Sequence, residues 1–274
     1  MSGMNHSVRF LAAGDLHAGL IPEDRLAAVF RAAARHQDVA FLAAPGDLTN
    51  EALPEQYSLI QRQVKRLPFP FYGTMGNHDA LAGPDSYARH LFCRAMEVEG
   101  PTYLRDVNGV RFIFVSTDGN TDGVTVSIRT SLHALRDALN SADGPVVVLC
   151  HAPLTGTVDA APGRPSFRSD DPQFGLPESQ DVRRLVREAG KPVLYLSGHT
   201  HSPLEADNLI CSERLGDATL HSVNVSSPYF TGRDMDIHAP ILLYRFEVGP
   251  EGVDLRIEDA QTEATLLERT LSFR

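Results

Sequence analysis

Two pairs of potential metal ligands stand two residues apart in the chain, Asp15 with His17 and His199 with His201. Between them come Gly46-Asp47, Gly76-Asn77-His78-Asp79 and His151. Carboxylate oxygens combined with imidazole nitrogens suit zinc, manganese or iron, and an asparagine carbonyl can complete such a set. Glycines 14, 46, 76 and 198 accompany these clusters, and glycine lets a backbone turn sharply or approach a ligand closely. Taken singly, each cluster also has a plainer reading. Asp-x-His is common as a turn or cap, Gly-Asp is ordinary turn chemistry, Gly-Asn-His-Asp can be an Asx-capped turn, and His151 can be a hydrogen-bonded histidine at a strand end. What unites the clusters is position, because each one closes a short apolar run.

Those runs are residues 8–13, 39–44, 69–74, 146–149 and 193–196, all read as strands. Pro22 opens a helical pattern carrying Leu26, Val29, Phe30 and Ala33, and Pro54 opens another carrying Tyr57, Ile60, Val64 and Leu67. Strand–helix alternation predicts parallel strands covered by helices. The carboxyl ends of such strands lie along one edge, where ligands bind. In an extended segment residues i and i+2 point the same way, so each spaced pair is expected to face one site. Asn108-Gly109 predicts a hairpin between strands 103–107 and 110–115. Leu132, Leu135 and Leu139 mark a helix. Another starts at Pro177, runs through Val182, Leu185 and Val186, and closes at Gly190. The remainder is β-rich, with strands expected at 220–225, 241–248 and 253–257. Residues 152–176 are rich in proline and glycine, and so long a loop is uncommon unless it is a lid or binding loop. Without a linker, repeat or low-complexity stretch, residues 1–274 read as a single domain.

Hydrophobic residues make up 42% and charged residues 22% of the 274, the balance of an ordinary soluble globule. Lys and Arg total 25 against 35 Asp and Glu, a net charge of −10. A protein that neutralises nucleic-acid phosphates needs the opposite balance, so no nucleic-acid partner is expected. No apolar run is long enough to cross a membrane, and the N-terminal run reads as a first strand, too short for a signal peptide. Cys93, Cys150 and Cys211 have no Cys-x-x-Cys spacing, which fits a reducing, cytoplasmic location. The sequence sets no oligomeric state; a homodimer is compatible with it.

Taken in order, D-x-H, G-D, G-N-H-D, H and G-H-x-H resemble the calcineurin-like metallophosphoesterase superfamily, with all five blocks matched across residues 15–201. The stretch from Gly46-Asp47-Leu48-Thr49 through Tyr57 to Gly76-Asn77-His78-Asp79 is most similar to its cyclic-nucleotide phosphodiesterase-like branch. The resemblance implies an α/β fold, a four-layer αββα sandwich, holding two transition-metal ions (manganese, iron or zinc). It assigns Asp15, His17 and His201 to the first metal, Asp47 to a bridging position, and Asn77, His151 and His199 to the second. His78 would stand beside the reacting phosphate as a non-ligand, with His78, Asn77 and Asp47 carrying catalysis. A water shared by two cations is acidified towards neutrality and becomes the nucleophile.

The substrate so implied is a small-molecule phosphate ester, a diester ahead of a monoester or nucleotide. A non-catalytic metal-binding scaffold is disfavoured, because such relatives lose ligands or the catalytic histidine. Protein Ser/Thr phosphatases resemble G-D-x-V-D-R-G at the second block, where this chain has Leu48-Thr49-Asn50 after Gly46-Asp47. Other departures touch the shape of the pocket: Ala152-Pro153 follows His151 where relatives often carry a second histidine, and Ala13-Gly14 and Pro45 precede the first two clusters. Asp79 has two readings of equal weight, a partner fixing the His78 tautomer or a cap for the next segment. Arg164, Arg168 and Arg233 read as solvated loop charge or as a grip on substrate, and His221 and His238 fit no motif. Discrimination among substrates is expected from the overhanging segments 118–129, 152–176 and 226–239.

Overall fold

Leu11 and its neighbours Phe10 and Ala12 point to opposite sides of one strand, yet all three are buried. The same holds in the strand Val146–Cys150, where Val147 and Leu149 face one core and Val146, Val148 and Cys150 another. Strands buried on both faces need cover on both, and the computed structural model supplies it with two sheets between two layers of helices. It describes residues 7–81, 85–119, 122–159, 167–231, 234–235 and 239–274. In chain order the elements are β1 (Val8–Ala12), α1 (Glu23–Ala33), β2 (Leu42–Ala44), α2 (Pro54–Val64), β3 (Phe71–Gly73), α3 (Asp85–Met96), β4 (Tyr103–Val107), β5 (Val110–Val115), α4 (Leu132–Asn140), β6 (Val146–Cys150), α5 (Ser179–Ala189), β7 (Val193–Ser197), β8 (Ile210–Leu215), β9 (Ala218–Asn224), β10 (Phe230–Thr231), β11 (Asp234–Met235), β12 (Leu242–Gly249), β13 (Gly252–Asp259) and β14 (Thr265–Ser272).

One six-stranded sheet runs β14-β13-β12-β1-β2-β3, the other β4-β5-β6-β7-β9-β8. Within the first, β1, β2 and β3 are parallel, and β12 joins β1 antiparallel. Within the second, β5, β6, β7 and β9 are parallel. Leu26, Val29 and Phe30 of α1, Tyr57 and Ile60 of α2, and Ala88 and Phe92 of α3 cover the outer face of the first sheet. Leu135 and Leu139 of α4 with Val182, Leu185 and Val186 of α5 cover the second. Between the sheets the ring of Phe10 lies 5.2 Å from Phe41, 5.0 Å from Phe246 and, edge-on, 5.2 Å from Phe112. Aromatic pairs of this kind add about 0.5–1.5 kcal/mol beyond their buried area.

The Asn108-Gly109 hairpin forms with Val107 paired to Val110 and positive φ at both turn residues, 50° and 81°. Gly190 closes α5 in the left-handed conformation, at φ 63°. Of the expected strand 39–44 only Leu42–Ala44 pairs. The ends of β1, β2 and β3 do not share a single sheet edge with those of β6 and β7. They meet them across the seam between two sheets. Among the described residues, no helix is long and apolar enough to cross a membrane.

Candidate metal centre

Past their strands, the chemistry-bearing residues leave extended geometry at once. Asp15 (φ 46°), His17 (38°), Asp47 (48°), His199 (71°) and His201 (48°) all lie in the left-handed region. The two spaced pairs therefore converge through strained turns, where the sequence suggested extended segments. Such a backbone costs an L-residue roughly 1–2 kcal/mol, and it persists only where its surroundings over-determine it. Here they do. The His17 amide donates to the Asp47 carbonyl at 2.9 Å, and that of Ala18 to Leu48 at 3.0 Å. The His199 amide donates to the Asp15 carboxylate at 2.9 and 3.2 Å, and the Ser227 hydroxyl donates to the Asp15 carbonyl at 3.1 Å. A Cβ added at Gly76 would collide with Asp47 Oδ1, and one at Gly198 with Asp15 Oδ2. Glycine serves at these two places by having no side chain.

Asp15, His17, Asp47 and His201 each offer a donor atom, all within 4.8 Å of one another, and so do Asp47, His151 and His199. Asp47 belongs to both groups. His17 Nε2 lies 3.1 Å from His201 Nε2 and 3.6 Å from Asp47 Oδ2. His201 Nε2 is 3.4 Å from Asp15 Oδ1, and His151 Nε2 is 3.1 Å from Asp47 Oδ2. The His78 amide donates to Asp47 Oδ1 at 3.0 Å, and the His78 ring meets that of His17 edge-on at 4.6 Å. Asn77 is buried directly after Gly76. Its NH₂ donates to the Gly123 carbonyl at 3.0 Å and so fixes which way the amide oxygen points.

Three backbone carbonyls orient three imidazoles. Pro45 accepts from His151 Nδ1 at 2.8 Å, Gln173 from His199 Nε2 at 3.1 Å, and Asn50 from His78 Nδ1 at 2.7 Å. A carbonyl can only accept, so each of these nitrogens carries a hydrogen, and in the neutral ring the other nitrogen keeps its lone pair. Burial drives the pKa of His17 and of His199 down to about 3. For His151 burial acts in the same sense but is outweighed by Asp47 and then Asp15, which lift it to about 9. Burial would raise Asp47, yet His151 and His78 hold it well below the usual carboxylate range. His151 Nε2 is buried and faces Asp47 Oδ2 at 3.1 Å without the geometry of a hydrogen bond. This nitrogen, among crowded carboxylates and imidazoles, fits metal ions of the zinc, manganese or iron kind.

Among the described residues, the Asp79 carboxylate is held by two turns and makes no hydrogen bond to the His78 ring. Its Oδ1 accepts from the Thr49 amide (3.0 Å), the Thr49 hydroxyl (2.8 Å) and Tyr57 (3.4 Å). Its Oδ2 accepts from the amides of Leu48 and Gly76, both at 3.0 Å. It thus ties the turn carrying Asp47 to the turn carrying Asn77, and burial, then Asp47, lift its pKa to about 6. Thr49 and Tyr57 were present in the motif but pointed to no role until the fold placed them around this carboxylate. Asp79→Asn puts an NH₂ where an acceptor is needed. It is expected to weaken metal binding by about 10–100-fold and to destabilise the fold by about 1–3 kcal/mol, read by metal titration and denaturant unfolding.

Cys150 faces the helix-covered core, as strand alternation requires, and burial pushes its thiol up to about 12. Arg168 pairs with Asp159 at 2.6 Å, both about half exposed, a contact worth at most about 1 kcal/mol. His221 is buried, bonded to Ser212 and to the Ser272 carbonyl. Arg164, Arg233 and His238 lie outside the described residues.

Among known proteins, a curated relative from Rhodopseudomonas palustris, named a probable cyclic nucleotide phosphodiesterase, is 28% identical over 211 residues, covering 71% of this chain and 69% of its own. Purple acid phosphatase PPD1 of yellow lupin matches with a TM-score of 0.67 at 14% identity, over 99% of this chain and 55% of that one. GAP50, the anchor in the inner membrane complex of Plasmodium, matches with a TM-score of 0.65 at 13% identity, over 98% of this chain and 90% of its own. At such identities these two likenesses speak for the fold alone. The family model for calcineurin-like phosphoesterases matches residues 8–203. A match that runs from β1 through His201, across every turn just described, means that this chain belongs to the calcineurin-like phosphoesterase family.

Proposed function

We propose that this chain is a dinuclear metal-dependent phosphodiesterase of small-molecule phosphate esters, with residues 1–274 forming one catalytic domain. The observation that carries the reading is Asp47, the carboxylate common to two separate donor groups. Asp15, His17 and His201 would hold one ion with Asp47, and Asn77, His151 and His199 the other. Such ions, manganese, iron or zinc, supply an acidified water and neutralise phosphate oxygens. The chain's own part is to place and polarise. Asp47 turns Oδ2 towards a histidine of each donor group, 3.6 Å from His17 Nε2 and 3.1 Å from His151 Nε2, with Oδ1 steadied by the His78 amide. His78 has its Nδ1 on the Asn50 carbonyl, so Nε2 is the atom available to the ester; carrying a proton, it can steady a phosphate oxygen or protonate the leaving alkoxide. The name of the Rhodopseudomonas relative supports a diester over a monoester. Free Cys93, Cys150 and Cys211 support a reducing, cytoplasmic setting.

The test is reconstitution with each metal, followed by elemental analysis and turnover of a bis-nitrophenyl diester, cyclic nucleotides and nitrophenyl phosphate. Close to two ions per chain, activity lost to chelator, and diesters turned over at least about tenfold faster are expected. Full activity in chelator would overturn the metal mechanism. Faster monoester turnover would replace the diester reading with a phosphomonoesterase.

A further inference from the structure

Residues 152–176 were expected to overhang substrate, and their described stretch 167–176 closes on His199. We propose that Phe174, together with the Gln173 carbonyl, is a positioning residue that sets the ring of His199 and thereby the affinity of the second metal site. The proposal rests on the reading of His199 as a ligand.

Two independent contacts reach His199 from this segment. The Gln173 carbonyl takes the Nε2 hydrogen at 3.1 Å, which leaves Nδ1 as the nitrogen with a lone pair. The Phe174 ring lies against the imidazole with centroids 5.0 Å apart and planes 38° apart. Phe167 stacks on the outer side of this arrangement, 3.9 Å from Phe174 at 17°, and stands edge-on to His201 at 6.3 Å. The strap therefore touches both histidines of Gly198-His199-Thr200-His201, one from each donor group.

The strap is also held down at both ends. The Ser169 amide donates to the Val158 carbonyl and the Thr157 amide to the Ser169 hydroxyl, both at 3.0 Å. The Leu176 amide donates to the Pro153 carbonyl at 2.8 Å, and the amides of Phe174 and Gly175 donate to the Asp171 carbonyl at 2.9 and 3.0 Å. Gly175 packs so tightly on the Ser169 carbonyl that a Cβ there would collide with it. A segment tied in this way can hold a ring in place. The His199 backbone is already fixed by the hydrogen bond its amide donates to the Asp15 carboxylate, so the ring torsions are what remain to be set, and the carbonyl and the phenyl face set them. Partners of this kind typically change metal affinity by about 10–100-fold.

The experiment titrates apo-protein with zinc alone and measures retained metal after graded chelator, for wild type, Phe174→Ala, Phe174→Leu and Phe174→Tyr. The leucine variant keeps most of the apolar volume, so folding is preserved if alanine compromises it. Expected is one ion held as in wild type and the other weakened by about 10–100-fold in the alanine and leucine variants, with tyrosine restoring both. Wild-type retention in the leucine variant would overturn the proposal. So would equal loss of both ions with a lowered unfolding midpoint of the apo-protein, the mark of general packing. If wild type binds a single ion, the dinuclear reading falls by itself, and weakening of that ion in the leucine variant still decides for or against Phe174.

Discussion

Asp47→Asn is expected to abolish turnover and to leave neither metal position filled as in the native chain. The side chain is the shared member of two donor groups and the negative charge between His17 and His151, 3.6 and 3.1 Å from their Nε2 atoms. Asparagine keeps the shape but removes the charge and one of the two equivalent oxygens. A metal contributes several kcal/mol to phosphate-ester chemistry, and each 1.4 kcal/mol or so is tenfold in rate. A fall of at least about 10³-fold follows. Elemental analysis should show both ions depleted. Full occupancy of either ion, with the other alone lost, would show that Asp47 serves one site only.

His78→Ala should separate chemistry from metal holding. His78 contributes its backbone amide to Asp47 and its ring to the space beside His17, and alanine retains the amide. Metal content should therefore stay near that of wild type while kcat falls by about 10²–10⁴-fold, the usual worth of a positioned proton-transfer group. The deficit should shrink for esters with acidic leaving groups such as nitrophenol, which need little protonation, and widen for alkyl esters. Loss of a full metal equivalent would make His78 a ligand.

How much of this could be read from residue types depended on the kind of order involved. Val146–Cys150 and Val193–Ser197 were legible because they are apolar on both faces. The β4–β5 hairpin was legible because Asn108-Gly109 suits only one class of turn. β8 and β14 were not, since they are sheet edges whose residues are largely exposed and so follow no apolar alternation. α3 was missed as well: its buried apolar residues, Ala88 and Phe92, are few. At the site, the candidate donors were visible but their geometry was not. Spacing of two suggested extended segments, whereas Asp15, His17, His199 and His201 sit at positive φ. That conformation is imposed by distant partners, the Asp47 carbonyl and the Asp15 carboxylate among them. Asp79 shows the same limit: its partners Thr49, Leu48, Tyr57 and Gly76 surround it only once two turns are folded together.

The donor atoms come from both sheets, and Asp15 and His199 are 184 positions apart in the chain. Ions bound there would rivet one half of the sandwich to the other. Ligand binding confined to the native state adds about 2.7 kcal/mol at a hundredfold excess over the dissociation constant, a large part of the roughly 5–15 kcal/mol that holds a typical domain together. A copy made without metal would lack that added stability. Such copies would open more often and be cleared sooner by proteases. Metal supply would then govern how many molecules a cell keeps as well as how many are active.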